Sequence, residues 1–309
     1  MNAMAANTIS APVTAACRPD GAPGAEPQGT TESAFLFECE GEQLVGVIAA
    51  PARPLAVGVL IVVGGPQYRA GSHRQFVHLA RALASAGIAC MRFDYRGMGD
   101  SSGSPARFDR IDADIRAAID AFMSRCPQLA RVVLWGLCDG ASAICFYAGR
   151  DGRVAGVVLA NPWVRTAHSE AQARLRHYYG ARLLDREFWR KLGAGGVDVV
   201  ASLREFSSSL RRVGGRAMRR RAGADSFGGS LPDRMADGLS RFPGGILVLL
   251  SENDLTAQEF IGACASSKIW SSILRRTCRE QLVGSDHTFS RIADKQRVAD
   301  LTASWVRRR

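Results

Sequence analysis

One five-residue turn constrains the fold of this chain more than any other feature. Residues 136–140 read Gly-Leu-Cys-Asp-Gly, with the apolar run 132–135 before them and the helix-like run 141–146 after them. Glycines on both sides let the backbone adopt strained angles at the central position, and these angles push its side chain into the open. The pattern of strand, sharp turn and helix predicts a nucleophile elbow with Cys138 at its tip.

A thiol at the tip of such a turn attacks acyl carbon well, so the first hypothesis is acyl hydrolysis or acyl transfer. The alternative for Cys138 is a small buried core residue, which is what most free cysteines are. Ser101 and Ser142 are rival nucleophiles, but neither stands between glycines at the end of a strand. We therefore expect Cys138 to be the nucleophile.

Short apolar runs alternate with amphipathic helical patterns along most of the 309 residues. Strands are predicted over 34–40, 43–48, 56–63, 88–93, 154–160 and 245–250 and near 277–283, with the elbow strand and its helix over roughly 131–149. Helices are predicted after residue 66, around 111–122, near 256–266 and at the end of the chain. This alternation predicts an α/β fold with a mostly parallel sheet covered by helices on both faces. Gly41-Glu42 is expected to form a two-residue hairpin turn.

Composition divides the chain into four parts. Residues 1–31 are rich in Ala, Pro, Gly and Thr without an apolar period, which predicts a disordered segment. Residues 32–161 and 242–309 carry the alternating pattern and are expected to form two parts of one core. Residues 162–241 lack strands of the core type, contain Arg-rich helical stretches and glycine pairs, and are expected to form an inserted helical cap.

Export and cofactor signals are missing from the sequence. The first basic residue is Arg18 and Pro12 interrupts the stretch before it, unlike a signal peptide. No apolar run is long enough to span a bilayer, so we expect a cytoplasmic protein with reduced cysteines. None of the eight Cys residues forms a Cys-x-x-Cys pair, and we expect neither a metal nor an organic cofactor.

Positive charge is concentrated in one segment. The net charge is +11, and residues 161–241 hold 16 Arg or Lys against 8 Asp or Glu. One interpretation is a solvated helical face, and another is an entrance for an anionic or carrier-bound substrate such as a phosphopantetheine thioester. Nucleic acid is not expected, because no aromatic interleaving or known binding motif accompanies the charge.

Several motifs in order resemble the α/β-hydrolase superfamily over about residues 32–309. Within it, the chain is similar to the first of two hydrolases associated with exosortase A systems. The motifs that carry this closer resemblance are Gly-Gly-Pro-Gln-Tyr-Arg-Ala-Gly-Ser-His-Arg at 64–74, Phe-Asp-Tyr-Arg-Gly-Met-Gly-Asp-Ser at 93–101 and Asn-Asp-Leu-Thr-Ala-Gln-Glu-Phe at 253–260.

The resemblance implies a triad in the chain order nucleophile, acid, histidine. His287, just past the last predicted strand, is expected to be the base, although it could also be an ordinary surface-loop histidine. Asp254 is expected to orient it. Glu252 and Asp286 are nearby alternatives for the acid, and Asp254 could instead only cap the helix that starts near Thr256.

An oxyanion hole is expected from two backbone N–H groups. One belongs to Asp139, and the other comes from the loop after the strand 56–63. Pro66 has no N–H, so Gln67 is the expected second donor. The Asp139 side chain is explained by its favourable place at a helix start, without a chemical role. Tyr68 beside the hole is expected to contact substrate.

These inferences converge on a hydrolase of esters or thioesters that acts through an acyl-thioester intermediate. An acyltransferase that moves the acyl group to a sugar, lipid or amine is an alternative, because thioesters are suited to transfer. A binding module that has kept the fold without turnover is a second alternative, because fold does not imply function. The sequence does not give the oligomeric state.

Overall fold

The structure is a computed structural model that describes residues 29–65, 67–164 and 229–309. Contacts divide the chain into one unit of Met1–Val164 with Met235–Arg309 and a second unit of Arg165–Arg234. The predicted disordered segment at 1–31 and the predicted cap at 162–241 lie for the most part outside the described residues. The fold described below is that of the first unit and the short helix leading into it.

Eight strands of the described residues form one sheet in the order β1-β2-β4-β3-β5-β6-β7-β8. Only the β1–β2 and β2–β4 pairs are antiparallel, and every other neighbouring pair is parallel. The prediction of a mostly parallel sheet is confirmed. The strands are β1 Thr30–Cys39, β2 Glu42–Pro51, β3 Val57–Val62, β4 Cys90–Phe93, β5 Arg131–Leu137, β6 Val154–Ala160, β7 Gly245–Ser251 and β8 Cys278–Leu282.

Helices pack around this sheet. Among the described residues they are α1 Gln75–Ser85, α2 Asp112–Arg125, α3 Asp139–Tyr147, α4 Leu231–Ser240, α5 Leu255–Ala265, α6 Lys268–Arg275 and α7 Ile292–Val306. None of the helices in this part of the chain is long and apolar enough to cross a membrane.

The central strands β3 to β7 are buried because parallel strands need cover on both faces. The sequences of β3, β5, β6 and β7 are accordingly almost continuous runs of Val, Leu and Ile, whereas β4 reads Cys-Met-Arg-Phe, and all seven residues of β6 are buried. One core cluster joins β3, β5, β6 and β7 to α1 and α7, and Cys138 packs against it. The elbow therefore lies against the buried core of the sheet.

The hairpin between β1 and β2 differs from the prediction by one residue. Cys39 pairs with Glu42, so the turn consists of Glu40 and Gly41 rather than Gly41 and Glu42. Both turn residues have positive φ, 51° and 83°, as a two-residue turn of type I′ requires. Glycine at the second turn position relieves the strain, and Glu42 is free to start β2.

Two helices were not singled out by the sequence patterns. The helix α6 fills the connection between α5 and β8, and the hydroxyl of Ser267 caps its N-terminus. The helix α4 packs closely on α3, since a Cβ on Gly238 would lie 2.1 Å from the carbonyl oxygen of Cys145. Its position within 162–241 means that this stretch contains at least one helix that contacts the core.

Candidate active site

Cys138 occupies a sharp turn between β5 and α3. Its backbone angles are φ 58° and ψ −125°, outside the regions that a non-glycine residue usually adopts. The flanking glycines are required by close contacts: a Cβ on Gly136 would lie 2.6 Å from the Gly140 carbonyl carbon, and one on Gly140 would lie 2.5 Å from the Val62 carbonyl oxygen. The Gly-x-Cys-x-Gly pattern thus lets the turn pass directly against β3.

The strained turn is held by hydrogen bonds to the segment after β6. The Cys138 N–H donates to the Ala160 carbonyl at 3.0 Å, and the Trp163 N–H donates to the Cys138 carbonyl at 3.1 Å. Strain of this kind costs about 1–3 kcal/mol and persists only where the surroundings fix it. These two bonds are part of what fixes it.

The hydroxyls of both rival nucleophiles are engaged by the backbone. Ser142 is completely buried, and its Oγ donates to the Trp163 carbonyl at 2.6 Å. The Ser101 Oγ donates to the Asp94 carbonyl at 2.6 Å and accepts from the Val45 N–H at 2.9 Å. Both serines support loops, and neither stands at the elbow.

Asp254 and His287 lie together at the carboxyl end of the sheet. The His287 Nδ1 is 2.8 Å from the Asp254 Oδ2. Asp254 is only 8% exposed and also caps α5, where its carboxylate accepts the N–H groups of Thr256 at 3.1 Å and Ala257 at 3.3 Å. The same Asp254 carboxylate therefore caps α5 and pairs with His287.

The other two acid candidates have different partners. The Glu252 Oε2 accepts the Gly284 N–H at 2.7 Å, and the Asp286 Oδ1 accepts the N–H groups of Thr288 and Ser290 at 3.0 and 3.1 Å. Burial would raise the pKa of Asp286, but these hydrogen bonds and those from the same two hydroxyls outweigh it and lower the pKa. Both carboxylates shape the loop that carries His287.

His287 favours its charged form. Burial alone would lower its pKa, but hydrogen bonds to Asp254 and to Cys138, together with the negative charge on both partners, raise the pKa to about 10. The imidazole thus interacts with the acid on one side and with the thiol on the other. The structure brings Cys138, His287 and Asp254 together, although they lie far apart in the sequence.

The loop after β3 lies against the start of α3. A Cβ on Gly64 would meet the Asp139 Oδ1 at 2.2 Å and the Gly140 nitrogen at 2.5 Å, so no side chain fits there. Pro66 lies outside the described residues. The Gln67 side chain braces the loop, since its Oε1 accepts from the Ser72 N–H at 3.4 Å. The proposed donors therefore belong to two segments that come together at Gly64 and Asp139.

The Asp139 side chain is tucked beneath this loop. Burial raises its pKa, and the backbone N–H groups that face the carboxylate, among them those of Gly65 and Gly140, offset this only in part. Its Oδ1 is buried without a hydrogen-bond partner in the described part of the chain. Tyr68 follows Gln67 in the same loop. Its side chain is half exposed, and the Arg69 guanidinium lies over its ring.

Comparisons with known proteins bear on the family and the fold of the chain. A sequence model of the family Hydrolase_4, described as serine aminopeptidase, S33, matches residues 58–201. The quorum-quenching protein AidA of Acinetobacter baumannii (strain MDR-ZJ06) is 30% identical over 133 residues, 41% of this chain and 42% of that protein. The aligned part thus spans less than half of that relative's length.

Solved structures share the fold over most of the chain. An esterase of Pyrococcus furiosus superposes with a TM-score of 0.61 at 13% identity, covering 90% of this chain and 91% of that one. The esterase domain of a Rhodothermus marinus protein gives 0.56 at 19%, covering 90% and 98%. The chain has the α/β-hydrolase fold. At these identities, the solved structures speak for the fold alone.

Two polar residues near the candidate site were missed by sequence reasoning. Asn161 and Ser251 are buried at the ends of β6 and β7 and bond to the backbone of the His287 loop. Their partners are 35 to 126 residues away in the sequence, so no local pattern could reveal them. Only the position of Asn161 at a predicted strand end could have drawn attention to it.

A third missed feature is an ion pair behind the loop after β3. Asp94 at the end of β4 is fully buried, and its carboxylate accepts the Arg69 N–H at 2.6 Å and pairs with the Arg69 guanidinium. In the sequence, residues 93–101 stood out only as a motif of the family resemblance. The pair anchors the loop that carries Gln67 and Tyr68 to the sheet.

The remaining cysteines of the described residues differ from Cys138. Only Cys138 and Cys278 are partly exposed there, and the other five are buried. Burial raises the pKa of Cys39 to about 11 and also raises the pKa of Cys90 and Cys145, which keeps these thiols protonated. In the same residues no group of three His, Cys, Asp or Glu side chains could hold a metal ion.

Proposed function

We propose that this α/β-hydrolase cleaves a carboxylic ester or thioester with Cys138 as nucleophile, His287 as general base and acid, and Asp254 as the orienting acid. The observation that carries the proposal is the contact at 2.8 Å between the Asp254 Oδ2 and the His287 Nδ1, together with the strained elbow at Cys138, whose sulfur is among the groups that raise the pKa of His287. A buried acid, an imidazole and a partly exposed nucleophile in this relation are the components of a triad.

The reaction begins at the His287–Cys138 pair. Hydrogen bonding and the charge of its two partners raise the pKa of His287 to about 10, so a positively charged ring lies beside the sulfur and would stabilise the thiolate that attacks. The thiolate attacks the carbonyl carbon, and the carbonyl oxygen becomes an oxyanion. The N–H groups of Asp139 and Gln67 are the proposed donors to this oxyanion, each worth roughly 3 kcal/mol of barrier.

Collapse of the tetrahedral intermediate breaks the bond to the leaving group. The His287 imidazolium gives its proton to the leaving alkoxide or thiolate, and the acyl group remains on Cys138 as a thioester. The neutral imidazole then takes a proton from water, which attacks the thioester. Release of the carboxylic acid restores the thiolate and imidazolium. Asp254 keeps the Nδ1 proton of His287 in place throughout.

One alternative to hydrolysis is transfer of the acyl group to a hydroxyl or amine acceptor instead of water. A second alternative is a binding module without turnover. The relative named for quorum quenching suggests that quorum-signal molecules belong in the first substrate panel, beside anionic or carrier-bound thioesters. We also propose a place among the exosortase-associated hydrolases and a cytoplasmic location, on the sequence motifs described above.

The first test is site-specific. Cys138→Ala is expected to lower kcat/KM for p-nitrophenyl acetate roughly 10³-fold or more, because the covalent route is lost. Iodoacetamide at neutral pH is expected to label Cys138 in the wild type, read by mass spectrometry of peptides. His287→Ala slows that labelling, since the thiolate loses its partner.

The matched control is Cys278→Ser, which removes the other partly exposed cysteine of the described residues. It is expected to keep wild-type turnover and Cys138 labelling. Full activity in Cys138→Ala would refute the proposal, and equal labelling of both cysteines would argue for a silent module. Esters formed with added alcohols or amides formed with added amines would favour the transferase.

A further inference from the structure

Asn161 connects the elements that carry the nucleophile and the base. Its side chain is completely buried, and its Nδ2 donates to the His287 carbonyl at 3.1 Å and to the Ser251 Oγ at 3.0 Å. Its Oδ1 accepts the Ser251 N–H at 2.8 Å. Ser251 in turn links Asn161 to the residue before His287, because its Oγ donates to the Asp286 carbonyl at 2.8 Å.

The backbone on both sides of Asn161 bonds to the elbow. The Ala160 carbonyl accepts the Cys138 N–H, and the Trp163 N–H donates to the Cys138 carbonyl. A segment of four residues thus contacts the backbone of the nucleophile and, through one amide side chain, the backbone of the base.

We propose that Asn161 is a positioning residue that holds the His287 loop in register with the Cys138 elbow. The inference rests on the proposed function, because positioning matters only if these two residues react together. A displacement of about 1 Å between two reacting groups can lower the rate 10²-fold. One buried side chain that fixes their separation can therefore have a large effect on turnover.

The chemistry of the position matches asparagine. Both N–H bonds of the amide are used as donors and the carbonyl as an acceptor, so a carboxylate or an aliphatic side chain of similar size leaves at least one buried group unpaired. The backbone φ of 41° is left-handed, a region that asparagine tolerates better than most residues. Glycine also adopts this φ, which makes Asn161→Gly the variant most compatible with folding.

The test compares alkylation and turnover across pH. In Asn161→Gly, iodoacetamide alkylation of Cys138 at pH 7 is expected to fall about 10- to 100-fold, with a similar fall in kcat and little change in KM. Above about pH 9 a thiol ionises without help, so the alkylation rates of variant and wild type should converge. A merely structural defect would not produce this pH-dependent difference.

Three further variants make the outcome decisive. Ser251→Ala breaks only the link to Asp286 and is expected to give a smaller effect in the same direction. Tyr147→Phe removes a buried hydrogen bond of 2.7 Å to Asp151 at the far end of α3 and should leave the pH profile unchanged. If His287→Ala changes the profile while Asn161→Gly and Ser251→Ala do not, Asn161 has no positioning role. An unchanged profile in His287→Ala would overturn the triad itself.

Discussion

Both oxygens of the Asp254 carboxylate accept hydrogen bonds. Oδ1 takes the Thr256 N–H, while Oδ2 takes the Ala257 N–H and faces the His287 ring. The cap fixes the carboxylate at the start of α5, where the positive end of the helix dipole also stabilises its charge. A side chain fixed in this way orients the imidazole without moving itself.

This double use makes Asp254→Asn an informative substitution. Asparagine caps helices as well as aspartate does, so the melting temperature should change little. The charge that helps to raise the pKa of His287 is lost, so this pKa should fall below its present value of about 10. Imidazolium is present below its pKa, and the alkaline limb of the pH–rate profile should therefore move to lower pH.

Turnover of Asp254→Asn should fall by roughly 10²- to 10⁴-fold, because the ring loses its fixed tautomer and its charge support. The measurement is kcat/KM for p-nitrophenyl acetate from pH 6 to 11, beside a thermal melt. Asp254→Ala is the companion variant, which also loses the cap and about 1 kcal/mol of stability. An alkaline limb that stays near pH 10 in both variants would assign that limb to another group.

Cys138 could be indicated from a local signature, its glycine-flanked turn between a strand and a helix. Asp254 and His287 follow predicted strands, and their assignment came from the resemblance to the superfamily. Their roles remain predictions. Asn161 has no such signature, since its partners Ser251 and His287 are 90 and 126 residues away. Residues that act through distant backbone contacts become visible only when the fold is assembled.

The loop from β3 to α1 is the element on which the proposed oxyanion hole depends. It is anchored by Arg69, which bonds to buried Asp94 through both its backbone N–H and its guanidinium. An almost identical arrangement lies nearby, where Arg96 bonds to buried Asp114 through the same two groups. Both arginines are 19% exposed, and both aspartates are fully buried.

This likeness provides a matched pair of variants. Arg69→Met and Arg96→Met should lower the free energy of unfolding by similar amounts, roughly 3–5 kcal/mol, because each leaves a buried carboxylate unpaired. Only Arg69→Met frees the loop that carries Gln67, so only this variant should lower kcat for ester turnover, by about tenfold. Equal losses of turnover in the two folded variants would mean that the loop does not contribute to the reaction.

The elements themselves were largely predictable, and the errors have local causes. Strands β3, β5, β6 and β7 were found because buried parallel strands are apolar runs with few interruptions. The predicted hairpin turn is wrong by one residue because it assumed that the glycine occupies the first turn position. In the structure Glu40 occupies the first position with a positive φ, and Gly41 occupies the second. The helix α6 was not predicted because eight residues make only about two helical turns, too few to show a clear apolar periodicity.

At the scale of the molecule, α/β alternation predicted the fold class but not the strand order. The chain places β3 between β4 and β5, and such neighbours follow from crossovers that leave no local mark in the sequence. The resemblance to a superfamily implied the chain order of the proposed triad, which periodicity could not give. The predicted cap and disordered segment stay predictions, since most of their residues lie outside those described.

The sheet shares a core cluster with the helices α1 and α7, and Trp305 of α7 belongs to it. The indole is 1% exposed and lies under β6, where a Cβ on Gly156 would meet it at 2.6 Å. Its cluster includes residues of the elbow strand, and Cys138 packs against the same cluster. The core cluster therefore packs against Cys138, and none of the proposed reacting groups belongs to it.

Substitution of Trp305 should separate stability from chemistry. Trp305→Ala is expected to lower the free energy of unfolding by about 3–5 kcal/mol, through lost burial and the cavity left behind. Trp305→Phe should cost less, because it keeps a ring and removes an indole N–H that has no partner in the described residues. Urea unfolding followed by circular dichroism gives both values. Trp305 contacts Gly156 near the start of β6, whereas the Cys138 N–H bonds to Ala160 at its end, so kcat of the folded protein should stay within about twofold of wild type. A fall in kcat that parallels the loss of stability would show instead that the elbow depends on the full packing of the core.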